Sequence, residues 1–287
     1  MEHRRKSIVA GSFYDANKES LSQQISNCFL HEIGPQRLPE HGKYVKNERN
    51  IKGVISPHAG FIFSGPVAAH HFLRLSYEKT PQTIIIIGPN HRGLGKETAI
   101  MSAGYWETPL GNIEIDEELS KEIINYDDKH LIKEDLQAHA FEHSIEVQLP
   151  FLQFIYPQNQ YKIIPICISN QQLAKMKYLA DTIFMAIKEK SCLMIASSDF
   201  THYESQESAK RKDTEAIDKI INMDSKLFYE TIRRNEASIC GPGPIAIVIE
   251  VCKNIGINRG KLLKYATSGD VSGMNDQVVG YASIIFQ

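Results

Sequence analysis

The chain has 287 residues, of which 42% are apolar and 23% charged, the balance of a soluble globular protein with a sizeable core. Its formal net charge of -2 and the lack of any long basic run leave no electrostatic footprint for nucleic acid or an anionic membrane surface. No apolar run spans a bilayer, the charged start from Met1 to Lys6 leads into no signal-peptide core, and five widely spaced cysteines suit reduced thiols, so a cytoplasmic protein is expected.

The predicted elements begin with a loop or edge strand at 7–14 and a helix at 16–30, whose apolar residues Leu21, Ile25, Cys28 and Phe29 have helical spacing. A polar connection at 34–50 precedes the first strand, from Lys52, and Pro66 sits in the opening turn of a helix reaching Leu75. A second strand covers 82–88, and 98–115 alternates as a hairpin would. Helices are predicted at 117–124 and 142–155, a strand at 161–169, a helix at 173–188 and a strand from Cys192. Helices at 209–223, 225–234 and 245–256 and strands at 262–266 and 278–286 complete the chain. This order predicts one α/β domain over 1–287, an αβα sandwich around a largely parallel, mixed sheet, with no repeat or linker to divide it.

Three of these strands stop abruptly before a histidine. Residues 51–55 run into Ser56-Pro57-His58-Ala59-Gly60, 84–87 into Gly88-Pro89-Asn90-His91-Arg92, and 192–196 into Ser197-Ser198-Asp199-Phe200-Thr201-His202. Continuous β-branched runs belong to strands covered on both faces, and ligands of such sheets sit outside the carboxyl ends of the strands. His58 and His91, each set among Pro and Gly, are candidate metal ligands. Cys240, in Ser238-Ile239-Cys240-Gly241-Pro242, lies just ahead of a helix whose dipole favours thiolate, and two imidazoles with a thiolate would leave open positions on a metal. Asp199, three residues before His202, is placed to orient that ring as a general base, or else to cap a helix starting near Tyr203. A competing pattern, His139-Ala140-Phe141-Glu142-His143, fits the H-x-x-E-H helix of inverted zinc proteases; otherwise Glu142 and His143 line the pocket wall and His139 marks its rim. Arg92 could recognise a carboxylate or phosphate, and Tyr14, Tyr203 and Asp270 are further pocket candidates.

Ser56-Pro57-His58-Ala59-Gly60, Gly88-Pro89-Asn90-His91, Glu142-His143-Ser144-Ile145-Glu146, Ser197 to Tyr203 and Cys240-Gly241 resemble the Memo family, in a match running from Ala10 to the C-terminal Gly280-Tyr281-Ala282. That family is similar in fold and pocket to class III extradiol (LigB-type) non-haem iron dioxygenases. The resemblance implies that His58 and His91 are metal ligands, that Cys240 stands where those enzymes have a carboxylate, and that His202 matches their catalytic histidine. Phe13 departs from the eukaryotic adaptor members, which carry Trp before the residue matching Tyr14. Because a thiolate softens the site, the expectation is iron(II)- or copper-dependent redox chemistry with oxygen, zinc being a third candidate, in preference to efficient catechol cleavage. The alternatives are a metal-independent module binding a peptide or small acid through Tyr14, His143 or Arg92, and a zinc hydrolase using Glu142. Substrate and oligomeric state are not legible.

Overall fold

The computed structural model describes residues 3–40, 49–157 and 160–287, so part of the polar connection expected at 34–50 lies outside the described residues. Four parallel strands form the centre of the main sheet, in the order Gly53–Ser56, Cys192–Ser197, Thr83–Pro89 and Lys162–Ile168. The long strand Val278–Phe286 pairs antiparallel with Gly53–Ser56 and carries Gly260–Thr267 and the short His202–Glu204 beside it. Beyond Lys162–Ile168, Thr98–Ile100 and Lys133–Glu134 finish the sheet.

The central strands are apolar throughout because both faces are covered. Ile85 and Ile87 point into one core while Ile84 and Ile86 point into the other. Helices Leu173–Ile187 and Pro242–Asn254 close the first face through Leu179, Ile183, Ile245 and Val248; Lys18–Leu30, Phe61–Ser76 and Leu149–Ile155 close the second through Phe29, Phe72 and Phe151. Each of these fully buried isoleucines is worth roughly 2 to 5 kcal/mol against alanine. The αβα sandwich with a mixed, centrally parallel sheet is the architecture the strand and helix order predicts.

Two local expectations are corrected. Residues 98–115 split: Thr98–Ile100 joins the main sheet, and only Tyr105–Thr108 and Gly111–Glu114 make a hairpin, turned at Gly111 with φ 123° and paired with Arg4–Arg5 in a separate sheet. No helix spans 142–155. The Glu142 carboxylate accepts the backbone N–H groups of His143 and Ser144, both at 2.8 Å, and so competes with a helical first turn. Helix forms only from Leu149, after a 3-10 turn at Glu146–Gln148. Among the described residues no helix is long and apolar enough to cross a membrane.

Candidate metal centre

Parallel register brings the three histidine-bearing strand ends to one edge, with Ser56 opposite Ser197 and Ile87 opposite Ala196. His58 and His91 project from the segments that follow, and the turn at 142–144 adds His143. One ring nitrogen from each of these three histidines lies within 4.8 Å of the other two, a spacing that could hold a metal ion. The rings pack as a cluster, with centroids 5.1 Å apart for His58 and His91, 5.5 Å for His58 and His143, and 4.8 Å for the stacked His91 and His143.

Hydrogen bonds behind the rings set which nitrogen is free. The Ser197 hydroxyl gives its only proton to the Ser144 carbonyl at 2.6 Å, so at 2.8 Å it must accept from His58 Nδ1–H. His58 Nε2 is thereby left bare and faces inward. His91 Nδ1–H donates to the Glu142 carboxylate at 2.9 Å, which leaves Nε2 free in the same way. Glu142 also accepts the His91 backbone N–H at 2.6 Å and lies 3.4 Å from His143 Nδ1. Burial opposes the charge on Glu142, yet its hydrogen bond to His91 and the neighbouring imidazoles hold the carboxyl down to about 2. Burial pushes His143 down to about 4 and His58 well below its ordinary range. Both imidazoles are neutral at physiological pH, the state a metal requires of them.

Cys240 closes one side of the cluster, its Sγ 3.3 Å from His58 Nε2 and accepting the Asp199 backbone N–H at 3.2 Å. The chain can pass so close to the strand end because Gly241 follows: a Cβ there would stand 2.7 Å from the Ser197 carbonyl oxygen. The thiolate expectation from the helix dipole is not met by the chain's own groups. Burial, and then the Asp199 carboxylate, push the thiol above its usual range. Asp199 also departs from its expected role. It accepts the His58 backbone N–H at 2.8 Å and lies 3.9 Å from His58 Nε2, while the His202 ring is held through Nδ1 by the Ser238 carbonyl at 2.8 Å. Burial raises Asp199 to about 6. Nor does it cap a helix near Tyr203; the next helix begins at Gln206, capped by Ser205.

A pocket of about 480 Å³ lies over the cluster, lined by His58, His91, His143, Cys240, Asp199 and His202, with Phe13, Arg92 and Tyr203 at its mouth. Phe13 packs on His143 with ring centroids 4.9 Å apart. Four expected pocket residues lie elsewhere. Tyr14 is buried, its hydroxyl donated at 2.6 Å to Glu146, which Arg5 also pairs with, so it cannot anchor a peptide. His139 is wholly buried beside Trp106; its Nε2–H goes to the Ala99 carbonyl at 3.2 Å and its Nδ1 meets the Cys167 thiol at 3.3 Å. The helix carrying His139 ends at Ala140, so His139 and His143 do not share the helical face that the zinc-protease pattern needs. Asp270 caps the short helix Ser268–Ser272 with Thr267 and pairs with Lys210. Glu142 sits behind the histidines and lines no part of the pocket. Sequence reasoning placed His143 on the wall and overlooked Ser197 as the residue fixing His58; the hydroxyl's position at a strand end was the available signal.

Comparison with known proteins is consistent along the whole chain. A MEMO1 family protein of Methanopyrus kandleri is 45% identical over 285 residues, covering 99% of both chains. Another from Nitrosopumilus maritimus is 42% identical over 282 residues, covering 98% of this chain and 99% of its own. In fold, the chain is similar to the crystal structure of an uncharacterized protein from Escherichia coli K12, with a TM-score of 0.59 and 11% identity over 83% of this chain and 100% of that one. A family model described as Memo-like protein matches residues 5–285, which include every residue of the histidine cluster and Cys240, and the chain therefore belongs to the Memo family.

Proposed function

We propose that this protein binds one transition-metal ion, iron(II) or copper, through His58, His91 and His143, and carries out oxygen-dependent redox chemistry on a small molecule in the pocket above them. The observation that carries this reading is the convergence of three ring nitrogens within 4.8 Å, with Nδ1 of His58 and His91 already engaged by Ser197 and Glu142. Three imidazoles suit iron, copper or zinc, and leave positions for a further ligand. Cys240, at 3.3 Å from His58 Nε2, is the proposed fourth donor, a softer one than a carboxylate. A bound iron or copper ion would supply one-electron redox chemistry and oxygen activation in this pocket.

The chain's own groups do the rest. His202, with Nδ1–H given to the Ser238 carbonyl, presents Nε2 as the acid or base that moves a proton of the bound molecule. Phe13 and Tyr203 add aromatic surface to the pocket's lining. Elemental analysis and titration with iron(II) or copper should give one ion per chain, lost in His58→Ala, His91→Ala and His143→Ala. Cys240→Ser should keep the stoichiometry and bind more weakly. Unchanged stoichiometry in all three histidine variants refutes the centre, and oxygen uptake indifferent to the metal refutes the redox assignment.

A further inference from the structure

The pocket over the histidines continues past its own wall. Tyr203 and Val279 line it and also line an adjoining groove of about 920 Å³, whose other apolar members are Phe63, Met274 and Tyr281. Tyr203 is 74% exposed and Met274 72%, and Ile62, next to Phe63, is 67% exposed. Large apolar side chains left together in water mark a surface that binds. Tyr203 itself has φ 57°, a region bulky side chains avoid. It is held there because both neighbours are tied down: His202 by Ser238, and Glu204 by Lys212 and Ser208, each at 2.7 Å. The ring is thereby displayed at the seam between pocket and groove, and such strain persists where the displayed group is used.

Charge is distributed unevenly along the same path. Arg92, at the mouth, donates Nε–H to the Phe141 carbonyl at 3.2 Å, which fixes its plane, and among the described residues no carboxylate pairs with it. The one carboxylate lining the pocket, Asp199, is turned to the His58 backbone, whereas the groove's own lining includes Asp276. An anionic group is therefore favoured at the Arg92 end and disfavoured in the groove.

We infer that the ligand of this centre is an organic anion with an apolar tail, its charged head between Arg92 and the histidines and its tail passing Tyr203 into the groove formed with Phe63 and Met274. This rests on the pocket assignment made above and adds the class of molecule that enters it. The test is calorimetric titration with butanoate, hexanoate and octanoate, on metal-free and metal-loaded protein. Affinity should rise about two- to fourfold per added methylene. Arg92→Gln should lower the whole series about tenfold without changing that increment. Phe63→Ser with Met274→Ser should leave butanoate unchanged and flatten the increment. A series independent of chain length, or an increment that survives the groove variants, overturns the tail assignment; undiminished binding by Arg92→Gln overturns the head. Chain-length dependence in a protein that takes up no metal would refute the metal reading alone, whereas metal uptake with a flat series would refute this inference alone.

Discussion

Glu142→Gln tests the centre from behind. The carboxylate is 1% exposed and accepts four N–H groups: His91 N at 2.6 Å, His91 Nδ1 at 2.9 Å, and His143 N and Ser144 N at 2.8 Å. Three of these converge on one oxygen and the fourth on the other. A glutamine that keeps its carbonyl oxygen on the triple position must face its NH₂ against the His91 backbone N–H, and the three bonds it keeps lose the reinforcement of a full charge. Charge-assisted bonds contribute about 1.5 to 3 kcal/mol and neutral ones about half that, partly offset by no longer burying an anion, so the fold should lose roughly 2 to 4 kcal/mol. Metal affinity should fall about 10- to 100-fold, the usual effect of removing a group that orients a ligating histidine. Chelator competition gives the affinity and urea denaturation of the metal-free protein the stability. There is also a pH signature. Glu142 is held at about 2, below the value near 4.3 of an unfolded glutamate, so its contribution is complete above about pH 4.5 and is lost as pH falls toward 2. The variant should lack that segment of the acid limb. Metal affinity within twofold of wild type would refute the claim that Glu142 sets the His91 ring.

Two further predictions concern stability. His71 is completely buried with Nδ1 on Ser283 at 2.9 Å, and burial pushes it down to about 3, so the unfolded chain gains a proton there before the folded one does. Its stabilising effect is complete above about pH 6.5 and is lost as pH drops through this range toward 3; between pH 6 and 4 the wild type should lose about 1.4 kcal/mol per pH unit more than His71→Asn, and parallel denaturation curves would contradict this. Tyr203→Asn should leave stability unchanged or raise it by up to about 1 kcal/mol, because a left-handed bulky residue costs about 1 to 2 kcal/mol and a ring that is 74% exposed gives little back. A drop in melting temperature would show that φ at Tyr203 stores no strain.

What could be read in advance follows a physical divide. Strands covered on both faces announce themselves as β-branched runs, and the Pro and Gly residues after them mark where they end; hence His58, His91 and the 197–202 segment were located from sequence, as was Cys240 through the glycines behind it. Side-chain bonds between distant segments leave no such trace. Nothing near Tyr14 shows that Glu146, 132 positions away, will bury its hydroxyl, and nothing near His139 shows that Cys167 will hold its ring. The 142–155 stretch was misread because apolar spacing suits a helix while the first residue's own carboxylate captures the N–H groups a helix would leave to its preceding turn. The Cys240 thiol was misjudged for a related reason, since the dipole argument knows nothing of burial or of Asp199.

The same polar groups also answer a question the core leaves open. Ile84 to Ile87 place identical side chains on both faces, so sliding this strand by one residue would exchange isoleucine for isoleucine and specify register only weakly. At the carboxyl ends the choice is unambiguous. Gln148 accepts from Ser56 Oγ at 2.5 Å and donates to the Pro57 carbonyl at 2.9 Å and Ser197 Oγ at 3.0 Å; Ser197 in turn links Ser144 to His58. The isoleucine strand joins this network at its own end, where Ser144 Oγ donates to the Pro89 carbonyl at 2.9 Å and Glu142 accepts from His91 N and Nδ1. A slip of one residue would therefore leave several buried groups unpaired, at about 1 to 3 kcal/mol each. The network that turns the imidazoles inward thus also aligns the strands that carry them, which is why a centre assembled from three separate segments can be held to ångström tolerance by a core that is itself nearly indifferent to sliding.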